Sequence, residues 1–210
     1  TGEVIYKKRG QSAEIWRRFR RNPGAMVGLF MLCVLIIMAV FAEAISPHDP
    51  IQQNLRNRLA PISSEHFLGT DELGRDIFSR IVFGARISVS VGLIAVTISS
   101  IGGIVLGSIA GYYGGILDNI IMRFIDILMA IPGILLNISI VAAMGPGLQN
   151  VMIAIGVSSI PGYCRIIRAS IMSIKGQEFI EASRAAGASD FHIIVHHIIP
   201  NSLAPLIVQA

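Results

Sequence analysis

Residues 87–117 read ISVSVGLIAVTISSIGGIVLGSIAGYYGGIL, a stretch without one charged side chain. Roughly 20 consecutive apolar residues suffice for a helix to cross a bilayer, so the run is long enough for one span and a turn. Gly103, Gly107, Gly111 and Gly115 recur at every fourth position, and Ala95 and Ser99 extend the series upstream. In a helix this places small residues along one stripe, where a second backbone can approach closely. The stripe predicts tight helix packing, within the subunit or against a second one. The segment from Gly111 to Gly115 is expected to turn at the membrane exit.

Apolar runs lie on both sides of this stretch. Asn22 to Ala42 carries no charge and is the first predicted span. A third, over about 120–143, carries Arg123 and Asp126 near its start and Pro132-Gly133 near its middle. Arg123 and Asp126 share a helix face and are expected to form an interfacial ion pair with a snorkelling arginine. Pro132-Gly133 is expected to loosen the helical ladder. Gly145-Pro146-Gly147 breaks the run, and a fourth span is expected over 150–168. A fifth would begin after Pro200 and is cut by the end of the chain, which suggests a piece of a longer protein. The predicted fold class is all-α, a polytopic transmembrane bundle with four spans and the start of a fifth. The expected organisation is a tail over 1–24, a first transmembrane helix over 25–45, a loop with an amphipathic helix over 46–86, and a transmembrane domain over 87–210 that carries a second loop at 173–200.

Composition agrees. The 210 residues are 53% apolar and only 14% charged, against about 25% charged in soluble domains. Mean hydropathy is +0.67. These values argue against a soluble enzyme and exclude an intrinsically disordered chain, and two cysteines exclude a disulfide scaffold. Cys33 and Cys164 both lie in apolar runs and are expected to be buried free thiols. The net charge of +4 is not spread along a face, so no nucleic-acid partner is expected; the lipid bilayer is.

Lys and Arg favour the cytoplasmic side of a membrane. Lys7, Lys8, Arg9, Arg17, Arg18, Arg20 and Arg21 precede the first span, and Arg165, Arg168, Lys175 and Arg184 accompany or follow the fourth. A cytoplasmic N-terminus satisfies both. The loop 46–86 then lies outside. Within it, Thr70 is read as a helix N-cap with Asp71 and Glu72 in the first turn, and Leu73, Ile77, Ile81 and Ala85 as the apolar face. His66 and the nearby acids raise the question of a metal, but the ligand spacing of a calcium loop is absent and no metal site is expected.

The loop after the fourth span reads KGQEFIEASRAAGASDFHIIVHHIIPN from Lys175 to Asn201. Phe179, Ile180, Ala182, Ser183 and Ala186 predict a helix with an apolar, small-residue face. Gly187 suits a helix C-terminus. Ser189 can cap a second helix, with Ile193, Ile194, Ile198 and Ile199 as its apolar face. Pro200 marks re-entry toward the bilayer. Two short helices with a glycine bend suit docking into a groove on a partner. His192, His196 and His197 lack the glutamate of a zinc-protease motif and are read as solvated or interfacial.

At Glu181, Ala182, Ser183, Gly187 and Pro200 the chain resembles the inner-membrane permease subunits of bacterial ABC importers. Their signature is Glu-Ala-Ala, three residues, Gly, nine residues, Ile-x-Leu-Pro. Ser183, His197 and Ile199 depart from it mildly. GTDELGRD at Gly69–Asp76, the long loop after the first span and RRFRRNPGAMVG at Arg17–Gly28 narrow the likeness to the second, C-type permease of the oligopeptide, dipeptide and nickel importers. The resemblance implies six spans and a multi-pass protein of the bacterial inner membrane. The implied partners are a homologous permease in a heterodimer, two cytoplasmic ATPase subunits and an extracytoplasmic solute-binding protein. No cofactor is implied for this chain itself, since ATP and magnesium would sit in the ATPases. Glu181, Ala182, Ser183, Ala185, Ala186, Gly187 and Pro200 would form the ATPase-coupling loop, and no catalytic residue is expected. The alternative is an ion-coupled secondary transporter or channel, which would want a midplane acid or a pore-lining polar series. A membrane scaffold would rest on the glycine stripe alone.

Overall fold

The computed structural model describes residues 16–17 and 19–209. The basic tail with Lys7, Lys8, Arg9 and Arg18 therefore lies mostly outside the described residues. The chain is all-α: among the described residues there is no strand, only an isolated bridge between Thr70 and Asp76. It divides into two compact units, 1–90 and 91–210.

In the first unit, α1 covers Pro23–Val40. Asn22 caps it by accepting from the Ala25 N–H at 3.3 Å, and Pro23 stands where a missing N–H costs nothing. Phe30, Met31, Leu32, Ile37 and Val40 are all exposed, and only Ala39 is buried. A helix apolar all round whose large side chains find no protein neighbours is one built to face lipid. A short helix, α2 (Ala42–Ile45), ends the span.

The segment 46–76 is an ordered, stitched loop. The Asp71 carboxylate accepts from the Leu73 N–H (2.9 Å), the Arg75 N–H (3.0 Å) and Arg75 Nε (2.8 Å), and also pairs with Arg80. Partial desolvation works to raise its pKa, but these donors outweigh it and hold the group at about 2. Gly74 has φ +69, and a Cβ there would lie 1.8 Å from the Asn54 carbonyl oxygen. The expected helix start at Thr70 is corrected here. Thr70 Oγ1 accepts from the Ala60 N–H at 2.8 Å and donates to the Asn57 carbonyl, so it is spent on the loop. Asp76 caps the helix instead, accepting from the Ser79 N–H at 2.7 Å and Ser79 Oγ at 2.6 Å. The buried face is accordingly Ser79, Val82 and Ala85, while Leu73 and Ile81 are exposed.

That helix, α3, runs unbroken from Ile77 to Tyr113. The one-sided helical segment of the loop and the span it leads into are thus one continuous helix. Its 37 residues extend about 55 Å at 1.5 Å per residue, well beyond a hydrocarbon core of about 30 Å. It stops at Gly114 and Gly115, whose φ values of +68 and +58 take left-handed geometry.

The second unit continues through α4 (Gly115–Ala130) and α5 (Gly133–Met144), which meet at 95°. Pro132 does more than loosen one span. It forces Ile131 out of the helical region (φ −88, ψ 127), ending α4 outright. Gly145 and Gly147 turn the chain, closed by Asn150 Nδ2, which donates to the Met144 and Gly145 carbonyls at 3.1 and 2.9 Å. The next helix, α6 (Leu148–Ile174), is the hub and buries Met152, Ala154, Tyr163, Cys164, Ile167 and Ile171. Asp126 pairs with Arg165 of α6, not with Arg123. Asp118 takes a bidentate pair from Arg168 Nε and Nη2, at 2.5 and 2.6 Å. Both cysteines are free, but Cys33 is exposed on α1 and only Cys164 is buried. Among the described residues, α1, α3 and α6 are each long and apolar enough to cross a membrane, and the bent pair α4–α5 makes a fourth if it counts as one span.

Candidate functional site: a helical elbow and its anchor

Past Ile174 the chain leaves α6 through Lys175, whose Nζ donates to the Gly111 carbonyl at 3.1 Å. Helix α7 then covers Glu178–Ala185. Gly187, at φ +85, ends it. The Gly187 N–H donates to the Arg184 carbonyl (3.0 Å) and the Ala188 N–H to the Ser183 carbonyl (3.1 Å). These two bonds are the paired closure that a left-handed residue permits at a helix end. Ser189 Oγ accepts from the His192 N–H at 3.3 Å and starts α8 (Asp190–His192), which widens into a π-helical turn over Ile193–Ile198. The last helix, α9 (Ile199–Gln209), continues without a break from that turn and contains Pro200 and Pro205.

The predicted apolar faces of this elbow split in two. Ile180, Ile193 and Ile198 are fully buried in one cluster with Tyr112, Tyr163, Ile167, Ile171, Ile174 and Leu206. Glu181, Ala182, Ala185, Ala186, Gly187 and Pro200 are exposed, and Ser183 is half-buried. Phe179 and Phe191 are exposed beside them, at 41% and 75%. The elbow thus roots itself with isoleucines and presents small residues flanked by two aromatic rings. His192 and His196 stack with ring centroids 4.3 Å apart.

A polar latch was not legible in the sequence. Tyr112 Oη donates to Asp190 Oδ1 at 2.6 Å and accepts from Arg184 Nη2 at 3.3 Å. The Arg184 guanidinium also lies 5.8 Å from the Tyr112 ring centroid. One side chain at the end of α3 therefore holds both arms of the elbow. Residues 72 and 78 positions apart meet there, and no local periodicity announces such a contact.

The glycine stripe lies inside the subunit, between α3 and α6. A Cβ on Gly103 would fall 2.3 Å from Tyr163 Cβ and 2.9 Å from the Cys164 nitrogen. On Gly107 it would fall 2.7 Å from the Cys164 carbonyl oxygen, and on Gly111 3.0 Å from Ile171 Cβ. Gly115 is not in the seam: it has left-handed φ and open space around it. Three glycines thus bring two backbones together, and the same helix pair carries the latch and the root of the elbow.

Long apolar helices with exposed large side chains, and an elbow with small residues on its outer face, fit a membrane protein, and the sequence comparisons give its family. Residues 103–210 match the family described as binding-protein-dependent transport system inner membrane component, and residues 10–61 the N-terminal transmembrane domain of oligopeptide transport permease C. The chain belongs to this family of inner-membrane transport components. It is 48% identical over 197 residues to the dipeptide transport system permease protein of Alkalihalophilus pseudofirmus, covering 94% of this chain and 65% of the relative. It is 45% identical over 202 residues to the corresponding protein of Haemophilus influenzae, covering 93% and 68%. With the glutathione transport system permease protein of Pectobacterium atrosepticum it shares 44% identity over 198 residues, covering 93% and 65%. The chain spans about two thirds of the length of these relatives.

Proposed function

We propose that the chain is part of a permease subunit of an ATP-driven importer for peptides or related small solutes. It would pair with a homologous permease, receive solute from an extracytoplasmic binding protein, and be driven by two cytoplasmic subunits that bind ATP and magnesium. In this reading ATP hydrolysis resides in those partners and the chain itself performs no chemistry. The observation that carries it is the elbow: exposed Ala182, Ala185, Ala186 and Gly187 on an element rooted by buried isoleucines and latched by Tyr112. A projecting helix with small residues outward lets a partner's groove close around it, and a rigid root passes the partner's movement into α3 and α6 instead of dissipating it. The relatives' names, dipeptide and glutathione permeases, support peptides as the solute class.

In this reading the N-terminus and the elbow both face the cytoplasm, which requires the bent pair α4–α5 to cross the membrane as one span. Replacing Gly187 with valine tests the coupling role. Nothing lies within 4 Å of a Cβ at this position, so the variant is expected to insert and fold, at a strain of about 1–2 kcal/mol from the left-handed backbone. Uptake should be abolished in cells expressing the full-length protein with its partners. Normal uptake by a membrane-inserted Gly187→Val protein contradicts the proposal.

A further inference from the structure

The loop between α1 and α3 closes around a cavity of about 120 Å³ lined by His48, Asp49, Glu65, His66 and Asp76, among others. Asp76 is 2% exposed and His66 8%. His66 Nδ1 lies 3.0 Å from Asp76 Oδ1, and His48 Nδ1 lies 4.0 Å from the same oxygen. The two imidazole centroids are 4.8 Å apart. One ligating atom from each of the three residues falls within 4.8 Å of the others.

Two features are not explained by the folding of the loop. The first is His48 Nδ1, which is buried with no hydrogen-bond partner, although an imidazole nitrogen in that position should have one. The second is charge. Asp76 accepts from Ser79 and His66, yet among the described residues no Lys or Arg pairs with it, because Arg75 and Arg80 are both spent on Asp71. A buried carboxylate with no Lys or Arg partner leaves room for a cation.

We propose that His48, His66 and Asp76 bind a divalent cation of the zinc class. Two imidazoles and one carboxylate are a donor set that borderline metals favour over calcium or magnesium. Tetrahedral bonds of about 2.0 Å put neighbouring donor atoms about 3.3 Å apart; the three donors, 3.0 and 4.0 Å apart across Asp76 and all within 4.8 Å of one another, would draw together around an ion through side-chain rotation. Asp76 Oδ2 stays fixed by Ser79, which orients the carboxylate as the outer hydrogen bonds of metal sites do. The fourth position falls to water, with Asp49 and Glu65 at the cavity wall adding negative potential. The ion would join the segment just after α2, the middle of the loop and the cap of α3. In the sequence, His66 and the nearby acids raise the question of a metal but no site is expected; the second imidazole arrives from eighteen positions upstream.

The test is a Co²⁺ titration of the full-length permease, purified with its partner subunits and stripped by chelator. The expected result is one saturable site with the intense visible bands of tetrahedral Co²⁺, displaced by Zn²⁺. The His48→Ala variant removes a side chain that makes no hydrogen bond through Nδ1, so it should unfold at the parental temperature in chelator while its Co²⁺ affinity falls at least about tenfold. An H192A/H196A/H197A variant should keep the bands, since those histidines lie on the elbow. No saturable site in the parent, unchanged affinity in His48→Ala, or loss of the bands in the elbow variant would each overturn the proposal.

Discussion

The α3–α6 seam and the elbow both depend on glycine, for opposite reasons. At Gly103 the backbone is ordinary helix, and what matters is the missing side chain: Tyr163 and Cys164 occupy the space a Cβ would need. At Gly187 the space is empty, and what matters is φ +85. The seam is a packing device that makes two helices one body. The elbow is a shaping device that leaves its outer face free. A stiff lever with an open end needs both, and the two kinds of glycine should respond differently to substitution.

The largest effect is expected at the seam. Gly103→Val places three carbons against Tyr163 and Cys164 and should exceed about 3 kcal/mol, the upper range of ordinary overpacking. Folded protein recovered from membranes, read by protease resistance, should fall severalfold, whereas Gly187→Val should leave recovery near the parent. Equal recovery of the two variants would break the distinction. A sharper form uses Gly187→Asn, since asparagine tolerates left-handed geometry. It should restore most of the uptake that valine removes, and Gly103→Asn should restore nothing.

A smaller effect is expected at the latch. Tyr112→Phe removes the hydroxyl shared by Asp190 and Arg184 and should cost about 1 kcal/mol. Combined with Asp190→Asn the losses should be less than additive, because both remove the same contact. Full additivity in thermal unfolding would mean that Tyr112 does not hold the elbow. The smallest effect belongs to the first unit, where Asp71 staples the turn before α3. Its pKa falls from an ordinary 3.8 to about 2 in the fold, so its stabilisation is present above pH 3.8 and lost as the pH falls through 2. Asp71→Asn should be less stable than the parent at pH 7, and the gap should narrow between pH 4 and 2. A gap independent of pH would assign the effect to packing.

Much of this architecture was legible in sequence because it is written in local patterns. Charge-free runs mark α1, α3 and α6, the four-residue glycine period marks the seam, and Gly187 with Ser189 marks the bend of the elbow. What escaped depends on contacts between distant residues or on competition for a side chain. Thr70 has the chemistry of an N-cap, but the Ala60 N–H and the Asn57 carbonyl take its hydroxyl first. Asp126 sits one turn from Arg123, but Arg165 on the neighbouring helix pairs with it instead. Pro132 was legible as a weak point, yet its effect on Ile131 turns a loosened span into a bend of 95°. The latch joins residues 78 positions apart, and the pattern around Tyr112 does not encode it.

The central claim is that the elbow docks into an ATP-hydrolysing partner. The most direct measurement places a single cysteine at Ala185, in full-length protein with Cys33→Ser, coexpressed with its neighbouring genes and crosslinked from the cytoplasmic side. Ala185 is exposed, and Cys164 is buried out of reach. The account predicts a crosslink to an ATP-hydrolysing subunit whose yield changes when ATP is bound. An accessible cysteine that never crosslinks to such a subunit would contradict it.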